Sequence, residues 1–348
     1  MGITSVLGSS ALLPAGLGFR NALINGDFRV NQRVFSSTTN NGAYGFDRWR
    51  IDASGGTTTY SAQTFTPGNA ISGQEPTNYA RVVTTGQSNT NGTYSLFRQP
   101  IEDVRTFAGQ TVTVSFWAKA SSGTPKVSIE LEQNFGSGGS ASIIQYAGQV
   151  TLSTSWQKFT LTTIIPSISG KTIGTNSHLL FTFILSGGPD WNTRSSSIGI
   201  QSNTFDFWGV QLEQNYQATP FEQRPFAVEL QLCQRYYEKS YDIGTAPGTA
   251  TDSGFILAMP GGAQASSSGI HDAYINFKVT KRTAASMTIY DNAGNSNKCR
   301  RTAVGSANYD NQSIQDVSGY TNGCYFRSAT GSGSTHTVSC HYVASAEF

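Results

Sequence analysis

The chain has 348 residues, 13% of them charged, and a formal net charge of +2. This length suffices for two domains that each bury a core. The charge excludes the strongly basic surface with which a nucleic-acid binder follows phosphates, so we expect no nucleic-acid partner. No stretch reaches the roughly 18 consecutive apolar residues of a membrane span, so we expect no membrane insertion either.

Residues 1–20 combine small residues with scattered leucines. Such a composition cannot build a core by itself, and we expect a tail that docks on a partner. The segment has no basic start, and Gly8, Pro14 and Gly16 interrupt its apolar stretch. These features argue against a secretory signal peptide.

Strand alternation is clear in residues 111–120, TVTVSFWAKA. The valines, Phe116 and Ala118 share one face of this strand, and Trp117 and Lys119 share the other. The first face is typical of a core. The second face is polar apart from its large indole ring.

Two later segments are apolar on both faces: residues 179–185, LLFTFIL, and residues 205–210, FDFWGV. This pattern is typical of central strands that are covered on both sides. Turn signals separate the strands at the intervals expected of an all-β sandwich. The sequence therefore predicts an all-β protein whose N-terminal domain, residues 21–222, is a jelly-roll β-sandwich.

A helical pattern occupies residues 225–241, PFAVELQLCQRYYEKSY, with Pro225 suited to the first helical position. Four residues spaced by four, three and four form a heptad-type seam: Phe226, Leu230, Cys233 and Tyr237. The seam is too short for an independent coiled coil. We expect a short helical neck, residues 223–241, that joins copies of the chain as a homotrimer. The alternative is one amphipathic helix packed on a β domain of a monomer.

Residues 242–348 predict a smaller C-terminal β-sandwich tip domain. Four residues alternate on one face of its last strand: Val338, Cys340, Tyr342 and Ala344. Asp291 to Gly294 predicts a hairpin turn. The four cysteines of the chain lack the spacing of metal ligands, so we expect reduced thiols. The alternative is one disulfide among the three cysteines of the C-terminal third.

Two stretches, NALINGDFRVNQR at 21–33 and FDFWGVQLEQNYQATPFEQRP at 205–225, resemble bacteriophage tail-fibre and other virion appendage proteins. The resemblance covers nearly the whole chain after residue 20. It implies a virion protein made in the bacterial host cytoplasm: a trimeric tail fibre that docks through residues 1–20 on tail, baseplate or capsid proteins and binds host-surface glycans. A head fibre or capsid decoration protein with the same domains stays open as an alternative.

LINGDF at 23–28, WQKFTLTTIIP at 156–166 and FDFWGVQLE at 205–213 also resemble the jelly-roll carbohydrate-binding modules of bacterial glycosidases. This resemblance implies glycan binding. It also implies a structural calcium as the one conceivable cofactor, near Asp27 and Asp206, which lie in the matching stretches. The alternative for Asp27 is a turn residue that bonds its own backbone.

A protein binds a sugar by stacking an aromatic ring on its apolar face, while neighbouring polar groups bond to the hydroxyls. The candidate residues for this role are Trp191, Asp190, Asn192, Arg194, Trp117 and Lys119. Trp191 lies in a polar loop, SGGPDWNTRSSS, whose flanks predict no strand that would bury it. For Trp117 the alternative is that a loop or helix covers the ring, as is common in the folds that this sequence resembles. The other tryptophans are predicted core residues: Trp49, Trp156 and Trp208.

A polysaccharide-degrading enzyme is a further alternative. Glycoside hydrolysis needs two carboxylates roughly 5–9.5 Å apart. Glu130 and Glu132, two positions apart on one strand face, fit that distance, but so does any strand with alternating acids. The sequence has no nucleophile motif, metal-ligand cluster or phosphate-binding loop. We therefore expect no enzymatic activity.

Overall fold

The structure, a computed structural model, describes residues 19–258, 270–303, 308–329 and 336–348. Of the predicted docking tail, residues 1–18 lie outside these ranges. Within the described ranges, the helices are too short and too polar to cross a bilayer.

Residues 19–213 form two antiparallel sheets. Their strands are β1 (Ser37–Thr38), β2 (Arg50–Ser54), β3 (Thr57–Thr64), β4 (Asn78–Thr85), β5 (Tyr94–Ile101), β6 (Thr111–Ala120), β7 (Lys126–Asn134), β8 (Ile143–Thr151), β9 (Gln157–Ile164), β10 (His178–Gly187) and β11 (Thr204–Glu213). One sheet has six strands in the order β1-β3-β4-β11-β6-β9, and the other has five in the order β2-β5-β10-β7-β8.

The two sheets pack face to face over one aromatic core. Phe116 from β6 and Phe207 from β11 meet Phe183 from β10, with ring centroids 4.9 Å and 4.5 Å apart. All three rings are fully buried. The predicted all-β jelly roll is confirmed. The two segments predicted as central strands are confirmed too, because β10 and β11 have neighbours on both sides.

Three short helical segments interrupt the strands of the described chain: a 3-10 turn (Pro189–Trp191), α1 (Asn192–Ser195) and α2 (Phe226–Gln234). The helix predicted over 225–241 is thus shorter than expected. The chain leaves the helical conformation after Gln234, and its tyrosines, which favour strands, continue into β12 (Tyr237–Lys239).

The prediction that the heptad-type seam forms one helical stripe is wrong. Cys233 is fully buried and Tyr237 is 7% exposed within the chain itself, and Tyr237 belongs to a strand, so it cannot continue a helical stripe. Phe226 is 41% exposed and Leu230 is half-buried. The α2 helix instead packs on its own sandwich, as in the alternative of a single packed helix.

A polar contact fixes α2 against the sandwich. Glu229 is 4% exposed. Its carboxylate accepts a hydrogen bond from the backbone N–H of Asn25 and pairs with Arg224 at 3.2 Å. A buried carboxylate needs such partners, so this contact holds the inward face of α2 against the sandwich.

The C-terminal region is again antiparallel. Its strands are β12, β13 (Ile256–Ala258), β14 (Ile270–Asn276), β15 (Ser286–Tyr290), β16 (Lys298–Ala303), β17 (Asn308–Gly319), β18 (Gly323–Ala329) and β19 (His336–Ser345). The main path runs β12-β19-β16-β17-β18-β14, with β13 and β15 also paired to β19. The long strand β19 therefore pairs with four other strands: β12, β13, β15 and β16.

The predicted inward face of the last strand is confirmed, since Val338, Cys340, Tyr342 and Ala344 are all at most 1% exposed. All four cysteines of the chain are free and buried. The chain also turns at Asp291, whose carbonyl accepts a hydrogen bond from Gly294 at 3.1 Å.

Charged residues connect the C-terminal end of the chain to the sandwich. Glu347 pairs with Arg48, which is fully buried, and with Arg33 at 3.2 Å. The Arg48 guanidinium lies 3.4 Å from the centroid of the Tyr236 ring. Removing one partner of a buried pair leaves an uncompensated charge, so these contacts hold the two β regions together.

Candidate functional site

A cleft of about 540 Å³ opens on the outer face of the six-stranded sheet. Its walls combine four aromatic residues with one lysine, two aliphatic residues and four residues that carry hydroxyl or amide groups. The residues that matter for its chemistry are Phe65, Ile71, Tyr79, Trp117, Lys119 and Trp156. We call this the sheet cleft.

Strand alternation directs these side chains outward. On β6, Phe116 and Ala118 are fully buried in the core. Trp117 and Lys119 alternate with them along the strand and therefore face the cleft. On β4, Ala80 is buried in the same core, and Tyr79 lies on the opposite face. The hydrophobic pattern that builds the sandwich thereby also presents the cleft residues.

Three rings of the cleft support one another. Phe65 lies 4.8 Å from Tyr79 and 5.4 Å from Trp156, measured between ring centroids. Tyr79 and Trp156 meet edge to face, at 5.5 Å and 86°. Edge-to-face and offset pairs are the favoured geometries of aromatic rings, so the wall is held in place before any ligand arrives.

Gly209 allows Trp117 to lie close to the neighbouring strand. It has a φ of +63° and sits where the pairing of β11 with β6 shifts register after Trp208. A Cβ atom at this position would be 3.3 Å from Cδ1 of Trp117. Glycine therefore serves both the bulge and the position of the indole ring.

The loop between β3 and β4 forms one rim of the cleft and is held by its own hydrogen bonds. The N–H of Phe65 donates to the carbonyl of Thr77 at 2.9 Å. Ile71 and Gln74 exchange two backbone hydrogen bonds, of 2.9 and 3.0 Å, and Ile71 is only 5% exposed. The rim is thus an ordered structure anchored by an apolar side chain.

One ion pair lies beside the cleft. Arg81 donates to both carboxylate oxygens of Asp206, at 2.7 and 2.9 Å, and to the phenol oxygen of Tyr79 at 3.2 Å. Burial, and then the negative charge of Asp206, raise the pKa of the Tyr79 phenol. The phenol therefore stays protonated at neutral pH and keeps its own O–H to donate.

The structure brings together two of the predicted binding residues, Trp117 and Lys119, in this cleft. The prediction that Trp156 is a core residue is wrong, because it is half-buried and lines the cleft beside Phe65. Trp49 and Trp208 are buried as predicted. Sequence reasoning missed Phe65 and Tyr79. The Ser-Thr-Ser turn before Trp156 was a signal that this ring lies at a strand end.

The expectation that Trp191 is exposed is wrong. The 3-10 turn and α1 fold back on the outer face of the five-stranded sheet, and Trp191 is 8% exposed. It packs with Leu96, Ile184 and Ile198, and its ring lies 5.1 Å from that of Tyr94. Its neighbours Asp190 and Asn192 are exposed, but they border no open indole surface.

Arg194, predicted to bond a sugar, is engaged within the chain. It donates to both carboxylate oxygens of Glu130, at 2.6 and 2.5 Å, and to Glu132 at 3.2 Å. Its guanidinium also lies 4.5 Å from the centroid of the Trp191 ring. Glu130, considered above as one of a pair of catalytic carboxylates, is fully buried under this arginine.

The two carboxylates considered for calcium each face a guanidinium. Asp27 pairs with Arg29, and Asp206 pairs with Arg81 at 2.7 Å. Burial raises the pKa of Asp27, which disfavours the charged form that calcium needs. The described ranges contain no cluster of three or more His, Cys, Asp and Glu side chains suited to a metal. These residues do not fit a calcium ion.

Comparison with known proteins adds a family likeness. Residues 21–178, less than half of the chain, match the sequence model of the family described as "Carbohydrate binding domain". This segment includes every named residue of the sheet cleft. A search of the curated proteins finds no match.

Solved structures that resemble this chain include carbohydrate-binding modules and a phage protein. The family 11 module from Clostridium thermocellum, in complex with a β-1,3-1,4-mixed-linked tetrasaccharide, is 12% identical, with a TM-score of 0.31 over 53% of this chain and 99% of that one. The CBM22-1 xylan-binding domain from Paenibacillus barcinonensis Xyn10C is 10% identical, with a TM-score of 0.32 over 57% of this chain and 96% of that one.

The phage protein is the enzymatically active domain of tailspike protein 4 from Bacteriophage CBA120. It is 14% identical, with a TM-score of 0.32 over 56% of this chain. The present chain spans only 22% of the length of that tailspike chain.

Proposed function

We propose that the protein binds a glycan in the sheet cleft. The observation that carries this proposal is the presence of Trp117 and Trp156, both half-buried, in one open cleft. A ring with one packed side and one accessible side is what sugar stacking requires, because the apolar C–H face of a sugar gains little from a fully exposed or fully buried ring. The match of residues 21–178 to a carbohydrate-binding family supports the same function.

The polar groups around the rings can orient a bound sugar by hydrogen bonds to its hydroxyls. The Tyr79 hydroxyl retains its donor, and Thr64, Thr66, Asn69 and Ser72 line the rim with hydroxyl and amide groups. Such groups can bond sugar hydroxyls in either direction. The ordered rim reduces the entropy cost of binding, since few groups need to be immobilised by the ligand.

The test is a binding titration with glycans identified on a glycan array. We expect Trp117→Ala and Trp156→Ala each to weaken binding about 10-fold or more, which corresponds to roughly 1.4 kcal/mol. Tyr216→Ala is the matched control, because it removes a 78% exposed aromatic ring that does not line the cleft. Equal affinities for all three variants and the unaltered protein would contradict the proposal.

We further propose that glycan binding serves the attachment of a phage particle to its host, with the protein as a tail fibre. The sequence resemblance of residues 21–33 and 205–225 to virion appendage proteins supports this role, and a head fibre or capsid decoration protein is its alternative. The proposed division keeps residues 1–20 as the docking tail, 21–222 as the glycan-binding domain and 242–348 as the tip. Peptides of this chain among the proteins of purified virions would support the proposal, and their absence would overturn it.

A homotrimer stays part of this proposal, but it no longer depends on α2, whose inward face packs on its own sandwich. Contacts between copies must therefore involve other surfaces. Linked copies would raise the effective concentration of weak sugar sites. Light scattering gives the mass directly: three times the chain mass of 37.3 kDa is expected, and a monomer would contradict the trimer without affecting the glycan site.

We also propose that the protein does not hydrolyse the glycan. A general acid must reach the glycosidic oxygen of its substrate. Glu130 is fully buried, and its carboxylate accepts two hydrogen bonds from the Arg194 guanidinium, so it is closed to a sugar. Incubation with the bound polysaccharide should release no oligosaccharides. Release that is lost in Glu130→Gln would contradict this proposal.

A further inference from the structure

We infer that the glycan bound in the sheet cleft is anionic, with a carboxylate or sulfate group that pairs with Lys119. This inference rests on the proposed function and adds the class of ligand. The named cleft residues include one charged side chain, Lys119, and no acidic one. An anionic substituent next to a stacked sugar ring would meet this ammonium group.

The positive charge of Lys119 is only partly neutralised by its own surroundings. The nearest carboxylate is that of Asp206, whose side chain is 4% exposed and already bonded through both oxygens to Arg81. Lys119 Nζ lies 3.8 Å from Oδ2 of Asp206, which is beyond hydrogen-bond distance. Two cations thus share one carboxylate, and the surplus positive charge belongs to the residue that faces the cleft.

The hydrogen-bond donors of Lys119 are also available. A lysine ammonium has three donors, and within the described residues Lys119 makes no hydrogen bond to the protein. Its side chain is 29% exposed, and Nζ lies 5.4 Å from the centroid of the Trp156 ring. The ammonium group therefore lies over the Trp156 ring, with its donors free for a ligand.

This arrangement matches an acidic sugar better than a neutral one. A neutral sugar would use the lysine as a donor to a hydroxyl, which leaves the surplus charge unpaired. A carboxylate or sulfate would take a charge-assisted hydrogen bond, which is about twice as strong as a neutral one. The partly desolvated site strengthens that pair relative to bulk water.

The test compares acidic polymers with their neutral counterparts. One arm uses polygalacturonate and its carboxyl-reduced form, and the other uses carrageenan and its desulfated form, each alongside a glycan array. Variants Lys119→Gln and Lys158→Gln lose the same charge, but Lys158 lies on the neighbouring strand β9 and does not line the cleft. Trp117→Ala reports on the cleft itself.

We expect at least one acidic glycan to bind about 10-fold or more tightly than its neutral counterpart. Lys119→Gln should abolish this preference, Lys158→Gln should keep it, and added salt should reduce it. A preference for polygalacturonate would identify the group as a carboxylate, and a preference for carrageenan would identify it as a sulfate. Equal binding of acidic and neutral forms, with loss in Trp117→Ala, would overturn the inference and leave the proposed function intact. Absence of binding to every polymer and array glycan would overturn both.

Discussion

The two outer faces of the sandwich carry similar residues but differ in what is left accessible. The six-stranded sheet presents Trp117 and Lys119 in an open cleft. The five-stranded sheet is instead covered by the folded-back turn and α1, which carry Trp191 and Arg194. On the first face the cation has no hydrogen-bond partner in the described chain, and on the second Arg194 is bonded to two glutamates. A tryptophan beside a cation is therefore not itself a binding site. The face must also leave the ring open and the hydrogen-bond donors of the cation unused.

The largest expected effect separates the roles of the two tryptophans. Trp191→Ala removes a nearly buried ring from a small cluster and should lower the free energy of unfolding by about 3–5 kcal/mol. Glycan binding should be unaffected at temperatures where the variant is folded. Chemical denaturation and binding titration, compared with Trp117→Ala, measure both effects. Weakened glycan binding by folded Trp191→Ala would contradict the conclusion that only the face of the six-stranded sheet binds the glycan.

The ion pair on the closed face should also contribute to stability. Arg194→Ala leaves the fully buried Glu130 carboxylate without its guanidinium, and we expect a loss of about 3 kcal/mol, at the lower end of the range for broken buried pairs because the arginine is partly exposed. The matched control is Arg105→Ala, which breaks an exposed pair with Asp103 and should cost below about 1 kcal/mol. Equal losses for the two variants would show that the closed face is not held by this pair.

A smaller effect is expected at the bulge beneath the open face. Gly209→Ala places a Cβ against Trp117 at a positive φ, and it should cost about 1–2 kcal/mol and weaken glycan binding. Gly92→Ala has a similar φ of +73° but no atom within 4 Å of the new Cβ, so it should show the backbone cost alone. Unchanged binding in Gly209→Ala would mean that the position of the Trp117 ring is not critical.

The smallest effect concerns the Tyr79 hydroxyl. Tyr79→Phe should weaken binding about 5-fold, as for one neutral hydrogen bond of roughly 1 kcal/mol. Because burial and Asp206 raise the pKa of this phenol above its usual value of 10, it stays protonated. The affinity ratio of the two proteins should therefore be constant from pH 7 to 9. A ratio that falls towards one over this range would indicate that the phenol ionises there.

Local pattern predicted much of the sandwich and part of the cleft. Alternation in β6 was enough to place Trp117 and Lys119 on an outer face, because the period of a strand is fixed by its backbone. The apolar runs in β10 and β11 predicted central strands, because a strand that is apolar on both faces must be covered on both. These features depend only on neighbours in sequence.

The errors arise where distant segments meet. Trp191 is buried because its loop folds back on β5 and β10, and nothing in the loop's own sequence encodes that contact. The stripe of Phe226, Leu230, Cys233 and Tyr237 has heptad spacing, but tertiary packing ends the helix at Gln234 and turns Cys233 into the sandwich. Phe65 joins the cleft only because the loop after β3 closes over the sheet. Tertiary contacts override short periodic signals in these cases.

The most direct test of glycan binding in the sheet cleft is a crystal structure of the protein with a glycan selected by array binding. We expect a sugar ring stacked on Trp117 or Trp156, with an anionic group within hydrogen-bond distance of Lys119 Nζ. A glycan bound on the five-stranded face or on the C-terminal region, with the sheet cleft free of sugar, would contradict it.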